Sequence, residues 1–130
     1  MWSEACQNPE ALRHLYASVP AVNPVEIHEV VIRRDGPLLE VRVQLPAFPD
    51  HPPARWPEGA NTVQVTLALW GVSDFEQQGW GTENRGTLAL TRLDSGELLF
   101  SFESESARLR AKCTVARISR VSAYVNEAAV

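Results

Sequence analysis

The sequence predicts a mainly β fold: one curved antiparallel sheet or sandwich of about six to eight strands, with a short helix near the N-terminus. Three observations support this. Apolar and polar residues alternate over several separate stretches, turn-forming residues lie between those stretches, and 130 residues suffice for only one ordinary core. With 45% hydrophobic and 22% charged residues, the composition is that of a folded globular protein. We therefore expect residues 1–130 to form a single domain.

The helix is predicted shortly after the start of the chain. Asn8 can cap it, and Pro9 suits its first position because proline lacks the N–H that a helix leaves unpaired there. An apolar stripe at helical spacing consists of Leu12, Leu15 and Tyr16. Pro20 and Pro24 prevent the helix from continuing beyond about residue 19.

Period-two alternation then predicts the strands, each with one buried face. The alternating apolar positions are Leu39, Val41, Val43 and Leu45; Val63, Val65, Leu67 and Leu69; Leu98, Phe100 and Phe102; and Leu109, Ala111, Cys113 and Val115. Residues 25–34 and 87–93 are also strand-like, and the turn residues at 35–37 and 94–96 are expected to close hairpins. In the first and last strands, the apolar residues shift between odd and even sequence positions. This change of parity indicates a bulge or a sharp bend in each strand.

Residues 46–60, called the proline loop below, interrupt this pattern. They hold five of the nine prolines, at Pro46, Pro49, Pro52, Pro53 and Pro57, and carry Phe48, Asp50, His51, Arg55 and Trp56 between them. Prolines reduce the entropy that the chain loses on ordering, and the aromatic side chains can be buried. We expect an ordered surface loop that either contacts a partner or closes one end of the sheet.

No pattern of catalytic or metal-ligating residues is present. His28 belongs to a strand, and His51 follows Asp50 without the serine motif of a hydrolase. Two cysteines are too few for a structural zinc site. The glycines around Trp80 lack the strand–loop–helix context of a phosphate site, so we expect a loop with this indole packed on the sheet. The sequence predicts no enzyme activity, no metal and no cofactor.

Net charge and hydropathy argue against further classes of protein. The net charge of −4 argues against nucleic-acid binding, which requires a basic surface, and it is compatible with a basic protein partner. No apolar stretch is long enough to span a membrane or to act as a secretory signal. Two cysteines form no disulfide framework, and we expect a cytoplasmic protein.

Several stretches, taken together, resemble the immunity protein 50 family of bacterial polymorphic toxin systems. The first is Ile27-His28-Glu29-Val30 followed by Arg34-Asp35-Gly36-Pro37. The second is Leu45-Pro46, Phe48-Pro49-Asp50, Pro52-Pro53 and Arg55-Trp56. The third is Asn61-Thr62-Val63-Gln64, then Gly71-Val72 and Ser122-Ala123-Tyr124, and the start of the chain contributes Trp2 and Asn8-Pro9. The similarity covers nearly the whole chain.

The resemblance implies a cytoplasmic protein that binds a cognate toxin domain and blocks it stoichiometrically, without cofactor or catalysis. From the residues themselves we predict contacts at Asp50, His51, Arg55 and Trp56, with Glu26 and Glu40 as acidic groups at the rim. The alternative is a carrier that holds a small apolar ligand on its curved sheet. A bound small molecule would favour the carrier, and a stable protein complex would favour the immunity protein.

Overall fold

The computed structural model describes residues 2–126, which form one eight-stranded antiparallel sheet after two short helical segments. The helical segments are a 3-10 turn (Trp2–Ala5) and α1 (Glu10–Arg13). The strands are β1 (Val25–Arg33), β2 (Leu38–Gln44), β3 (Thr62–Trp70), β4 (Ser73–Gln78), β5 (Arg85–Arg92), β6 (Leu98–Ser104), β7 (Arg108–Cys113) and β8 (Val115–Tyr124). Within residues 2–126, no helix has the length and apolar character that crossing a membrane requires. The predicted fold class is confirmed.

The sheet consists of two halves that meet at one narrow junction. The strand order is β4-β7-β6-β5-β1-β2-β3-β8, and β5 pairs with β1 only through Val25–Gly86 and Glu26–Arg85. Both halves contribute their apolar faces to one hydrophobic cluster, so the sheet curls over and the halves pack against each other. The largest fully buried side chains include Leu39, Leu67, Leu69, Phe100 and Phe102.

The structure explains the changes of parity in the first and last strands. In β1 the pairing with β2 shifts between Ile27 and Glu29, which makes His28 the extra residue of a bulge. Near the C-terminus, Thr114 separates β7 from β8, and the chain crosses there from one half of the sheet to the other. Within β8, Ser119 is the extra residue of a second bulge, and its hydroxyl donates a hydrogen bond to the Thr66 carbonyl (3.1 Å).

The N-terminal helix forms, but Asn8 does not cap it. The cap residue is Pro9, and the Asn8 amide instead pairs with the backbone of Ile118 in β8. Asn8 Nδ2 donates to the Ile118 carbonyl and Asn8 Oδ1 accepts from the Ile118 N–H, both at 2.8 Å. The N–H of Gln7 donates to the Ala116 carbonyl at 2.7 Å. Residues 7 and 8 thus cover the outer side of β8 at Ala116 and Ile118, and we call this part of β8 the sealed edge.

Candidate interaction surfaces

The proline loop folds back onto the N-terminal segment and the core. The Tyr16 hydroxyl donates a hydrogen bond to the Ala47 carbonyl (2.7 Å). Phe48 and Trp56 make an edge-to-face contact with ring centroids 5.8 Å apart, and the half-buried Trp56 also packs against the core. Phe48 itself is exposed, so the packing of Trp56 on the core and the hydrogen bond from the buried Tyr16 hold the loop in place. The sequence predicted this ordering, and in the structure the loop covers core residues next to the sealed edge.

The loop also presents exposed polar groups. His51, Arg55 and Trp56 line one recess of about 440 Å³ together with side chains of the N-terminal helix. Asp50 is exposed next to them, and its carboxylate accepts a hydrogen bond from the Ala17 N–H (3.4 Å). The structure thus brings three of the predicted contact residues to one surface and places the fourth beside it. Asp50 and His51, both well within the described residues, share no hydrogen bond.

The two predicted acidic rim residues lie elsewhere in the fold. Glu26 is half-buried at the junction between β1 and β5, where its carboxylate accepts a hydrogen bond from the Asn84 N–H (2.6 Å). Glu40 is in the middle of β2 and accepts a hydrogen bond from Arg33 Nε (2.8 Å). Both carboxylates therefore have local partners that the sequence alone did not indicate.

Glu40 belongs to the solvent-facing side of β1, β2, β3 and β8, which forms a shallow polar recess of about 590 Å³. Arg42 connects this surface, because it lies 3.6 Å from the Glu29 carboxylate and donates a hydrogen bond to Gln64 Oε1 (3.1 Å). Arg120 also lines the recess. Positive and negative groups are mixed here, so this side of the sheet does not select one sign of charge.

A different surface lies where the two halves of the sheet separate. It is a recess of about 430 Å³ between β1 and β4, which we call the open cleft. Its lining residues are His28, Glu29, Val30, Ile32, Phe75, Gln77, Trp80 and Leu109. Ile32 is 52% exposed and Trp80 is 46% exposed, although Ile32 lies on the same face of the sheet as the buried Leu39, with which it pairs.

Sequence reasoning missed the open cleft. Trp80 was expected to pack against the sheet; it lines this cleft together with residues of β1 and is 46% exposed. The alternation of Val30 and Ile32 correctly indicates the core side of β1. Ile32 is exposed and Val30 only half-buried because β5 leaves β1 after two residue pairs, and no local pattern in the sequence indicates that separation.

The histidines and cysteines occupy ordinary structural positions. His28 Nε2 is hydrogen-bonded to Gln44 Oε1 (3.0 Å) at the surface. Cys6 and Cys113 are buried free thiols. Burial, and secondarily the proximity of Cys113, raises the pKa of Cys6 to about 12, and burial raises the pKa of Cys113 to about 11. Both groups are therefore protonated thiols at neutral pH, a state of low nucleophilicity.

Comparison with known proteins identifies the family. The sequence model of the family described as Immunity protein 50 matches residues 8–124, from the sealed edge to the end of β8. No curated protein and no solved structure matches the chain. The match includes the proline loop, the polar side of the sheet and the open cleft. The chain belongs to the immunity protein 50 family.

Proposed function

We propose that this protein binds a toxin domain and neutralises it by a stoichiometric protein–protein interaction. The family match over residues 8–124 carries this proposal. The structure supports it indirectly, because the space between the two halves of the sheet is filled by fully buried side chains, among them Leu67 and Phe100. A partner would therefore be engaged on the outer surfaces. The cytoplasmic location belongs to the same proposal and accords with two unpaired thiols.

The proline loop is the first contact surface that we propose. Asp50, His51, Arg55 and Trp56 offer charge, hydrogen-bonding groups and an aromatic ring on a backbone that is already ordered, which lowers the entropy lost on binding. Glu26 and Glu40 accept hydrogen bonds within the chain, so their contribution would be a negative potential that accelerates encounter with a basic toxin.

The function is tested by co-expression with the toxin candidate, the C-terminal domain encoded by the adjacent gene. We expect the toxin domain alone to kill the cells, and this chain to restore survival and to co-purify with the toxin in a fixed ratio. Survival without a complex would point to an enzymatic or indirect antidote. If the toxin domain does not kill the cells and no complex forms, the proposed function is contradicted for this pair.

The loop surface is tested with the purified complex. Trp56→Ala should weaken binding by about 2 kcal/mol, roughly 30-fold in Kd, if the loop lies at the centre of the interface. Because Trp56 also packs on the core, His51→Ala and Arg55→Ala are needed as variants that leave the core intact. Arg34→Ala removes another exposed arginine, from the β1–β2 hairpin, and is the matched control. Unchanged affinity in all loop variants would exclude the loop as a contact surface.

The second candidate function is a carrier of small apolar molecules. The apolar side chains of the open cleft, Ile32, Phe75 and Trp80, are the observation that favours it. Native mass spectrometry of the purified protein would then show a retained small molecule. Bare protein in repeated preparations would contradict the carrier.

A further inference from the structure

The recess of about 440 Å³ between the N-terminal helix, the proline loop and β8, which we call the loop recess, is lined by two kinds of side chain. Four of them carry N–H groups: His14, His51, Arg55 and Trp56. The other four are apolar: Ala11, Leu15, Pro53 and Val121. Arginine and tryptophan only donate hydrogen bonds, and each histidine donates from at least one ring nitrogen. The loop recess therefore offers donors on an apolar background.

These donors have no acceptor within the described chain. His14, His51 and Arg55 are exposed, and their side chains make no hydrogen bond or ion pair with other residues in the range 2–126. By contrast, Arg13, one position before His14, pairs with Glu4. The donors of the loop recess are thus available for an acceptor that another molecule supplies.

The loop recess differs in charge from the two other surfaces. The polar recess and the open cleft both include the Glu29 carboxylate. Among the described residues, no carboxylate lines the loop recess. Asp50 is adjacent in sequence, but it does not line the recess, and its carboxylate accepts a hydrogen bond from the Ala17 N–H (3.4 Å). An anionic acceptor would therefore meet unpaired donors at the loop recess and a carboxylate at the other two surfaces.

The chemistry of these donors fits a carboxylate. The Arg55 guanidinium is always charged and can hold a carboxylate through two parallel hydrogen bonds. His14 and His51 add donors, and each becomes cationic when it takes up a proton. Leu15 and Val121 offer apolar contacts to the methylene groups that connect such a carboxylate to its backbone. An acidic side chain satisfies both parts of the lining.

We propose that the loop recess binds an aspartate or glutamate side chain of the toxin domain, with Arg55 as its main partner and His14 and His51 as further donors. This inference rests on the proposed function and names the chemical group that the loop surface recognises. The net charge of −4 belongs to the whole chain and favours encounter with a basic toxin, whereas the loop recess selects one carboxylate at short range. A toxin domain that is basic overall can therefore carry that carboxylate within its interface.

Charge reversal tests the role of Arg55. In the purified complex of the full chain with the toxin domain, Arg55→Glu should raise the Kd about 100-fold, because two carboxylates then face each other. Arg55→Lys keeps the charge but loses the paired geometry, so we expect an increase below about tenfold. The control Arg34→Glu changes the net charge equally from the exposed β1–β2 hairpin and should raise the Kd less than about threefold. Equal increases for Arg55→Glu and Arg34→Glu would overturn the proposal.

A double-mutant cycle identifies the partner carboxylate. Each exposed Asp and Glu of the toxin domain is replaced by Asn or Gln and tested against the wild-type chain and against Arg55→Gln. At one toxin position, the increase in Kd seen with the wild-type chain should vanish, to within about twofold, with Arg55→Gln, because the same pair is already broken. If the effects are additive at every toxin position, the proposal is overturned.

The pH dependence of binding tests the two histidines. Their protonation adds positive charge next to the bound carboxylate, so the Kd should fall as the pH is lowered from about 7.5 to about 6, where histidine takes up a proton. In the double variant His14→Gln/His51→Gln, this fall should be at least about threefold smaller. An equal pH dependence of both proteins would contradict the part assigned to the histidines. The comparison cancels the titration of the toxin and of the other charged groups on α1, the proline loop and β8, which are Glu10, Arg13, Asp50, Glu58, Arg117 and Arg120.

The possible failures are distinguishable. If the wild-type chain forms no complex with the toxin domain, the proposed function and the recess proposal both fall. If a complex forms and Arg55→Glu binds like the wild type, only the recess proposal falls. If Trp56→Ala weakens that complex while Arg55→Glu does not, the loop is a contact surface without a carboxylate site, and the recess proposal is overturned.

Discussion

The two openings of the curled sheet differ in how they are closed. At the sealed edge, the backbone of Gln7 and the side chain of Asn8 bond the outer side of β8, and the proline loop places Trp56 against the core nearby. At the open cleft, residues 28–33 of β1 pair with β2 on one side and have no strand on the other side in the described chain, and Ile32 and Trp80 are exposed. At the first opening, Ala116 and Ile118 have backbone partners and Trp56 is half-buried, whereas at the second one edge of β1 is unpaired and Trp80 is 46% exposed.

This difference predicts which of the two openings contributes more to folding stability. A sheet edge left with unpaired backbone and exposed apolar side chains carries a risk of association with other chains, and proteins usually cover or charge such edges. The N-terminal residues cover the β8 edge at Ala116 and Ile118, whereas residues 28–33 of β1 have one edge without a strand partner in the described chain. We therefore expect substitutions at the sealed edge to reduce folding stability more than substitutions of the exposed side chains at the open cleft.

The largest effect is expected at Asn8. Asn8→Ala removes both hydrogen bonds to Ile118 and leaves its buried N–H and carbonyl unpaired, which should lower the free energy of unfolding by about 2–4 kcal/mol. Urea denaturation measures the change. Gln7→Ala is the control, because the Gln7 side chain makes only an exposed contact with Arg117 while its backbone bond is retained. Equal stability of the two variants would mean that Asn8 does not hold the β8 edge.

The next effect is expected in the proline loop. Trp56→Ala removes a half-buried indole and its contact with Phe48, and should lower the free energy of unfolding by about 1–3 kcal/mol. Thermal denaturation monitored by circular dichroism tests this prediction. Arg55→Ala, in the same loop but exposed, should change the free energy of unfolding by less than about 0.5 kcal/mol. A stable Trp56→Ala variant would show that the loop does not help to close the core.

A third effect is alkaline destabilisation. The pKa of both buried thiols is raised, to about 12 for Cys6 and about 11 for Cys113, so the folded chain keeps protons that the unfolded chain releases from about pH 9 upward. The free energy of unfolding should therefore be insensitive to these thiols below pH 9 and fall above it. Between pH 9 and 10 the loss is on the order of 1 kcal/mol per thiol. Cys6→Ala should show a shallower decline over this interval, and an identical decline would contradict the assignment.

Local patterns predicted most of this fold. The alternation that defines β2, β3, β6 and β7 reports which side of each strand is buried, and the hairpin turns at residues 35–37 and 94–96 form where turn residues stand. Parity changes also indicated both bulges, since one extra residue moves every later side chain to the other face. These signals are contained within a few neighbouring residues.

The missed features depend on residues distant in the chain. Asn8 has the sequence context of a helix cap, but its partner Ile118 lies 110 positions away and its hydrogen bonds dominate. Glu26 and Glu40 look like free surface acids, and Asn84 and Arg33 become their partners only after the strands pair. Likewise, nothing near Trp80 indicates that β1 and β5 separate after two residue pairs.

The smallest effect on stability is expected at Trp80, in contrast to Trp56. Trp80 lies in the loop after β4 and is 46% exposed, so Trp80→Ser should change the free energy of unfolding by less than about 0.5 kcal/mol. Trp56 and Trp80 are the same residue type in loops at the two openings, and the difference between their substitutions therefore measures how far each indole serves the core. Urea denaturation of both variants under one condition provides that difference. A loss at Trp80 as large as that at Trp56 would mean that the cleft is closed by its own side chains in solution, and the distinction between a sealed and an open side of the sheet would fail.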